Sequence, residues 1–156
     1  MYKDMGLVSQ VFTEPILAEM PGHMAVGHTR YSTTGSSTRL NAQPIFCTSI
    51  VGEIAVAHNG NLINAKIIRD EMEADGEAFD STSDSEVIAR LLVHFLQTLS
   101  PENAVSAAMK RIEGAYSCTV VTPTMVLGFR DPNGVRPLIV GSLGDGWMIA
   151  SESCAF

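Results

Sequence analysis

The chain has 156 residues, a length that points to one domain. Hydrophobic residues make up 46% and charged residues 17%, enough for a core and against disorder. The net charge is −7 with no Lys/Arg cluster, which argues against nucleic acid, and no apolar run is long enough to span a membrane.

Lys3, Asp4, Glu14 and Glu19 lie within the first twenty positions, so this stretch does not read as a signal peptide. Residues 7–12 predict a short strand, and residues 15–20 a helical turn closed by Pro21-Gly22. Residues 24–31 read as a strand and 33–41 as a polar loop rich in Ser, Thr and Gly. Residues 45–49 and 53–58 predict paired strands joined near Val51-Gly52.

Three helices follow. Leu62, Ala65, Ile68 and Met72 mark the first apolar face, and Gly76 ends it. Val87, Leu91 and Phe95, with Ile88, Leu92, Leu96 and Leu99, mark a longer helix. Ser83-x-x-Glu86 predicts a capping box at its start. Ser100 and Pro101 fit the cap and first position of a third helix, with Val105, Met109 and Ile112 inward. Strands are expected at 115–121, 125–130, 138–140 and 147–151. Asp131-Pro132-Asn133-Gly134 fits a type I turn. Gly141-x-x-Gly144-x-Gly146 joins two strands, so it predicts a hairpin rather than a dinucleotide loop. Strands, then helices, then strands imply an α+β layered domain.

The chemistry-bearing residues each allow two readings. Asn59-Gly60 is a favoured tight-turn dipeptide. It also offers a side-chain amide beside a backbone N–H, two donors suited to a developing oxyanion. Asp84 falls in the first turn of a helix, where the macrodipole favours a carboxylate. It could equally bind an ammonium group. Arg30 fits either a structural ion pair or bidentate capture of a carboxylate. Thr33 could add a hydroxyl. Arg30 and Asp84 together would grip the two ends of an amino acid. Cys47, Cys118 and Cys154 lack metal-ligand spacing, so no metal site is expected. Their odd number suits reduced thiols in a cytoplasm, each a small buried hydrophobe. No local signature pairs them with His28 or His58 as a dyad.

These motifs occur in an order that resembles one family. Gly27-His28-Thr29-Arg30-Tyr31-Ser32-Thr33, Asn41-Ala42-Gln43-Pro44, His58-Asn59-Gly60-Asn61, Ser83-Asp84-Ser85-Glu86 and Gly114-Ala115-Tyr116 look like the class II glutamine amidotransferases, which use an N-terminal cysteine. Arg130-Asp131-Pro132-Asn133-Gly134-Val135-Arg136-Pro137-Leu138 and Ala150-Ser151-Glu152-Ser153-Cys154-Ala155-Phe156 resemble the amidophosphoribosyltransferase branch. The similarity runs from about Lys3 to Phe156.

The resemblance implies an N-terminal-nucleophile hydrolase fold, a four-layer α/β/β/α sandwich of antiparallel sheets. It implies a glutaminase that delivers ammonia to a phosphoribosyltransferase domain. There, with Mg²⁺, ammonia would displace pyrophosphate from phosphoribosyl pyrophosphate and give phosphoribosylamine, the first committed step of purine synthesis. Carried over by position, Arg30 and Thr33 would bind the carboxylate of L-glutamine and Asp84 its amino group. Asn59 and Gly60 would form the oxyanion hole. No cofactor is expected in this chain, and an iron–sulfur cluster elsewhere is left open. A cytoplasmic homo-oligomer without membrane or nucleic-acid partners is the expected whole.

In the family, thiol and base belong to one terminal residue, so internal Cys47, Cys118 or Cys154 cannot substitute. The chain starts at Met1, so residues 1–156 are expected to be a partial domain. It would lack the nucleophile, the first strands and the phosphoribosyltransferase domain, and be inactive and poorly soluble alone. Two other readings stay open. One is the glutaminase of another class II enzyme such as glucosamine-6-phosphate synthase, whose usual Trp-Ala-Thr-His differs from Tyr31-Ser32-Thr33-Thr34. The other is a non-catalytic glutamine-binding module.

Overall fold

The computed structural model describes residues 1–30 and 39–156. It opens with two short helices, α1 (Val8–Val11) and α2 (Glu14–Ala18). Residues 7–12 are therefore helical rather than the expected strand. The Leu7 carbonyl accepts from the Gln10 and Val11 N–H groups, both at 2.9 Å, so the backbone is satisfied locally. Pro15 sits in the first turn of α2, where its missing N–H costs nothing. Residues 24–30 pair with no strand among the described residues, against expectation. Of the predicted polar loop, Arg39–Asn41 forms one 3-10 turn, and residues 31–38, Thr33 included, lie outside the described residues.

Four strands form an antiparallel sheet in the order β1 (Ile45–Ser49), β2 (Gly52–Leu62), β3 (Gly114–Val121) and β4 (Val126–Arg130). The β1–β2 hairpin was legible, but β2 runs on to Leu62 rather than stopping at 58. Leu62 is thus a strand residue, not the first position of the helical face. Three helices pack on one side: α3 (Ala65–Ala74), α4 (Asp84–Leu96) and α5 (Pro101–Met109). Alternate residues Ile45, Cys47, Ile54, Val56, Cys118 and Val120 meet them in a single core.

Helix α4 is the centre of that core. Val87, Ile88 and Ala89 are wholly buried, and Leu91, Leu92 and Leu96 nearly so. Each buried Val, Leu or Ile contributes about 1.5–3 kcal/mol relative to exposure. Ser83 caps α4 by accepting from the Ser85 N–H at 3.2 Å. Glu86 does not complete the predicted box by returning to Ser83. Its carboxylate reaches further back, accepting from the Asp80 N–H at 2.9 Å, the Ser81 N–H at 2.7 Å and the Ser81 hydroxyl at 2.6 Å. Burial would raise the Glu86 pKa, but these bonds and the Arg90 charge hold it below the usual value. In α5 the inward residues are Ala104 and Ala108; the expected Val105 and Met109 only flank the contact. Small side chains there let α5 approach α4 closely.

The other face of the sheet carries a two-stranded hairpin, β5 (Ile139–Leu143) and β6 (Gly146–Ala150), as the glycine spacing implied. It fits because β4 is bare at Gly128, where a Cβ would come within 2.9 Å of Ile149 Cδ1. Helices, sheet and hairpin make an α+β domain with antiparallel sheets. The Asp131 turn follows β4: the Gly134 N–H donates to the Asp131 carbonyl at 2.9 Å. The buried Asp131 carboxylate accepts from the Asn133, Val135 and Tyr116 N–H groups. Burial works to raise its pKa, and the surrounding N–H groups, including that of Arg136, bring it below the usual carboxylate value.

Candidate functional site

Asn59 and Gly60 lie where β2 outruns β1, and Asp84 reaches the same stretch through Leu62. The β1–β2 ladder ends at Ile45↔Val56, so beyond it β2 has β3 on one side and an open edge on the other among the described residues. In an antiparallel ladder, alternate residues aim their N–H and C=O at the same edge. His58, Gly60 and Leu62 share that direction. Tyr116, opposite Gly60, agrees with it, since its N–H and C=O go to Asp131 rather than to β2.

Side chains replace the missing neighbour strand. The His58 N–H donates to Gln43 Oε1 at 2.6 Å, and Gln43 Nε2 donates back to the His58 carbonyl at 3.0 Å. His28 Nε2 donates to the same carbonyl at 3.1 Å, which assigns its proton to that nitrogen. The Leu62 N–H donates to Asp84 Oδ2 at 3.0 Å. Residues 24–30 are therefore tied to β2 at this point by the His28 ring, not by a strand ladder. Between the two plugged donors, the Gly60 N–H faces the open edge.

Gly60 is not part of a tight turn, which corrects the bland reading of Asn59-Gly60. It lies inside β2 with φ +144°, and a Cβ there would meet the Ala115 carbonyl oxygen at 2.1 Å. Glycine is required by close approach of β3 as well as by its own dihedral. Asn59 is exposed on the face opposite His58, in register with Ser117 and through it with Arg130.

His58 links the strand to α4. Its ring is buried, with Nδ1 3.1 Å from Ser85 Oγ and 3.7 Å from Asp84 Oδ1. Burial lowers the His58 pKa, overriding the Asp84 carboxylate that raises it; His28 and Arg136 lower it further. Burial also lowers His28; the His58 carbonyl opposes this and Arg30 adds to it. Both imidazoles are neutral at neutral pH. In the unfolded chain they take up protons near 6.5, while in the fold they resist until lower pH. Protons then favour the unfolded chain, and stability falls as pH drops below that value. Thermal melts between about pH 7.5 and 5.5 should show a falling midpoint. A flat midpoint would contradict neutral burial of both rings.

Asp84 stands at the first position of α4, as expected, and joins the helix to the end of β2 through Leu62. Arg30 is half-buried, two residues from the His28 anchor and close enough to bias that ring. Asn59, Gly60 and Asp84 thus meet at one end of β2, whereas Thr33 falls outside the described residues. Cys47 and Cys118 are buried thiols whose pKa burial raises, Cys118 far above its usual value, so neither is a nucleophile facing a substrate, whereas Cys154 is exposed, against the expectation that all three are buried. Gln43, His28, His58 and Ser85 hold the site together without having been expected to. The Asn41-Ala42-Gln43-Pro44 motif was the only signal for Gln43.

A family model for the glutamine amidotransferase domain matches residues 28–156. The amidophosphoribosyltransferase of Synechococcus elongatus is 45% identical over 159 residues, covering 99% of this chain and 32% of that protein. That of Archaeoglobus fulgidus is also 45% identical, over 154 residues, covering 98% of this chain and 34% of that protein. The solved glutamine phosphoribosylpyrophosphate amidotransferase of B. subtilis, complexed with ADP and GMP, superposes with a TM-score of 0.87 at 37% identity. The match covers 97% of this chain and 32% of that one. The chain spans about a third of the length of the curated relatives it matches. Its fold is that of the N-terminal-nucleophile hydrolases, as the resemblance implied. With this match over most of its length, the chain belongs to the glutamine amidotransferase domain family.

Proposed function

We propose that this chain is the glutaminase segment of an amidophosphoribosyltransferase, releasing ammonia from L-glutamine for phosphoribosylamine synthesis. The observation that carries the reading is the Gly60 N–H, which among the described residues faces the open edge of β2, beside Asn59 and between the Gln43 and Asp84 plugs. Attack of a thiolate on the glutamine side-chain amide places negative charge on the carbonyl oxygen. Gly60 N–H and the Asn59 amide stabilise that charge where it develops. Collapse of the intermediate expels ammonia and leaves a thioester, which water hydrolyses to glutamate. In the family thiol and base belong to one terminal cysteine, a role that internal Cys47, Cys118 and Cys154 do not fill; Cys47 and Cys118 are also buried, with their thiol pKa raised. Arg30 and Thr33 take the substrate carboxylate, and Asp84 its ammonium. Phosphoribosyl pyrophosphate and Mg²⁺ act on a separate domain, and a cytoplasmic homo-oligomer remains the expected assembly.

Asp84→Asn separates binding from scaffolding. The amide oxygen can still accept from the Leu62 N–H, but the charge facing an ammonium is lost. Assayed in the complete enzyme, KM for glutamine should rise about ten- to a hundred-fold, the worth of a hydrogen bond to a charged group. Synthesis from added ammonia should be unchanged. An unaltered KM would confine Asp84 to its helix-to-strand role.

A further inference from the structure

We propose that Gln43 is a positioning residue for the oxyanion hole. Its primary amide acts as a one-residue strand. It accepts the His58 N–H at 2.6 Å and donates to the His58 carbonyl at 3.0 Å, the two bonds a neighbouring strand would make. The inference rests on the glutaminase reading of the site and goes beyond it, because Gln43 touches neither substrate nor reacting atoms.

The His58 carbonyl belongs to the peptide plane that leads into Asn59. Gln43 and His28 both donate to it, so that plane is fixed from two directions. Asp84 holds the far side at Leu62. The span between carries Asn59 and Gly60 and, among the described residues, has β3 on one side only. Without Gln43, the near end would keep, among the described residues, one tether from His28, on residues 24–30, which form no strand. The Gly60 N–H would then sample several directions, and a donor must be held about 2.7–3.1 Å from the oxyanion to work. Glutamine is needed there because a single side chain must accept and donate to the same backbone residue.

The test uses the complete gene product, with two variants of nearly the same shape. Gln43→Met removes both bonds. It should lower kcat for glutamine hydrolysis about 10- to 100-fold while KM for glutamine and the ammonia-dependent rate stay near wild type. Gln43→Glu supplies a readout that packing alone would not move. A protonated carboxyl has one acceptor and one donor, like the amide, whereas the carboxylate has lost the donor. Its kcat relative to wild type should therefore climb as pH is lowered from about 8 to about 6, since the facing His58 carbonyl accepts only from the protonated form and so raises the carboxyl pKa. A Gln43→Met enzyme with wild-type kcat, or one whose loss lies wholly in KM, overturns the inference. Should Gln43→Met fail to fold, a flat Gln43→Glu ratio across that range overturns it. Wild-type protein that hydrolyses no glutamine overturns the reading of the site itself.

Discussion

Gly60→Ala is expected to destabilise the protein by about 4 kcal/mol, at the upper end of single substitutions. Two costs combine. An L side chain is strained at φ +144°, and its Cβ would be driven to 2.1 Å from the Ala115 carbonyl oxygen and 2.8 Å from Tyr116 Cα. Neither neighbour is a flexible side-chain tip; both are backbone of the adjacent strand. For a domain of this size the melting midpoint should fall by about 10 °C. Gly76→Ala is the matched control, since Gly76 has φ +94° with nothing within 4 Å of a built Cβ. It carries the dihedral cost alone, about 1 kcal/mol. Equal losses for the two variants would mean that β3 yields and that the close approach is not rigid.

The largest expected effect on activity belongs to Asn59→Ala. Removing one oxyanion donor costs about 100- to 1000-fold in kcat. The residue is exposed and its backbone remains in the β2–β3 ladder, so the melting midpoint should not move. KM for glutamine should change little, because the amide donor acts on charge that develops only in the transition state. Synthesis from added ammonia should persist. Should KM rise with kcat intact, Asn59 would be a substrate-binding group and the oxyanion assignment would fall to Gly60 alone.

The elements legible in the sequence were those with local signals. The repeat of apolar residues through α4, the Ser100-Pro101 start of α5 and the Gly144-Asp145 turn each specify themselves within a few residues. Elements that depend on partners were misread. Residues 7–12 became a helical turn, and residues 24–30 found their anchor in a histidine ring instead of a ladder. Asn59-Gly60 carries a turn signal, yet its glycine serves the approach of Ala115, which lies 55 positions away in the chain. The order of the motifs singled out Asn59, Gly60 and Asp84, and the fold sets Asp84 against Leu62 two positions beyond Gly60. Gln43 lay within a motif but its role was not legible, because that role exists only after β2 overruns β1, a fact of register and not of composition. The capping box shows the same limit: Ser83 caps as its sequence suggests, while Glu86 turns to Asp80 and Ser81, whose position the loop decides.

An unprotected strand edge invites a foreign strand to add to it, which begins aggregation. Such an intruder must match a run of donors and acceptors spaced two residues apart. Along β2 that run is broken: His58 is answered by Gln43 and His28, and Leu62 by Asp84. Among the described residues one donor remains, at Gly60. A foreign strand therefore meets a broken run there, so the bonds that frame this stretch of β2 also guard it against self-association.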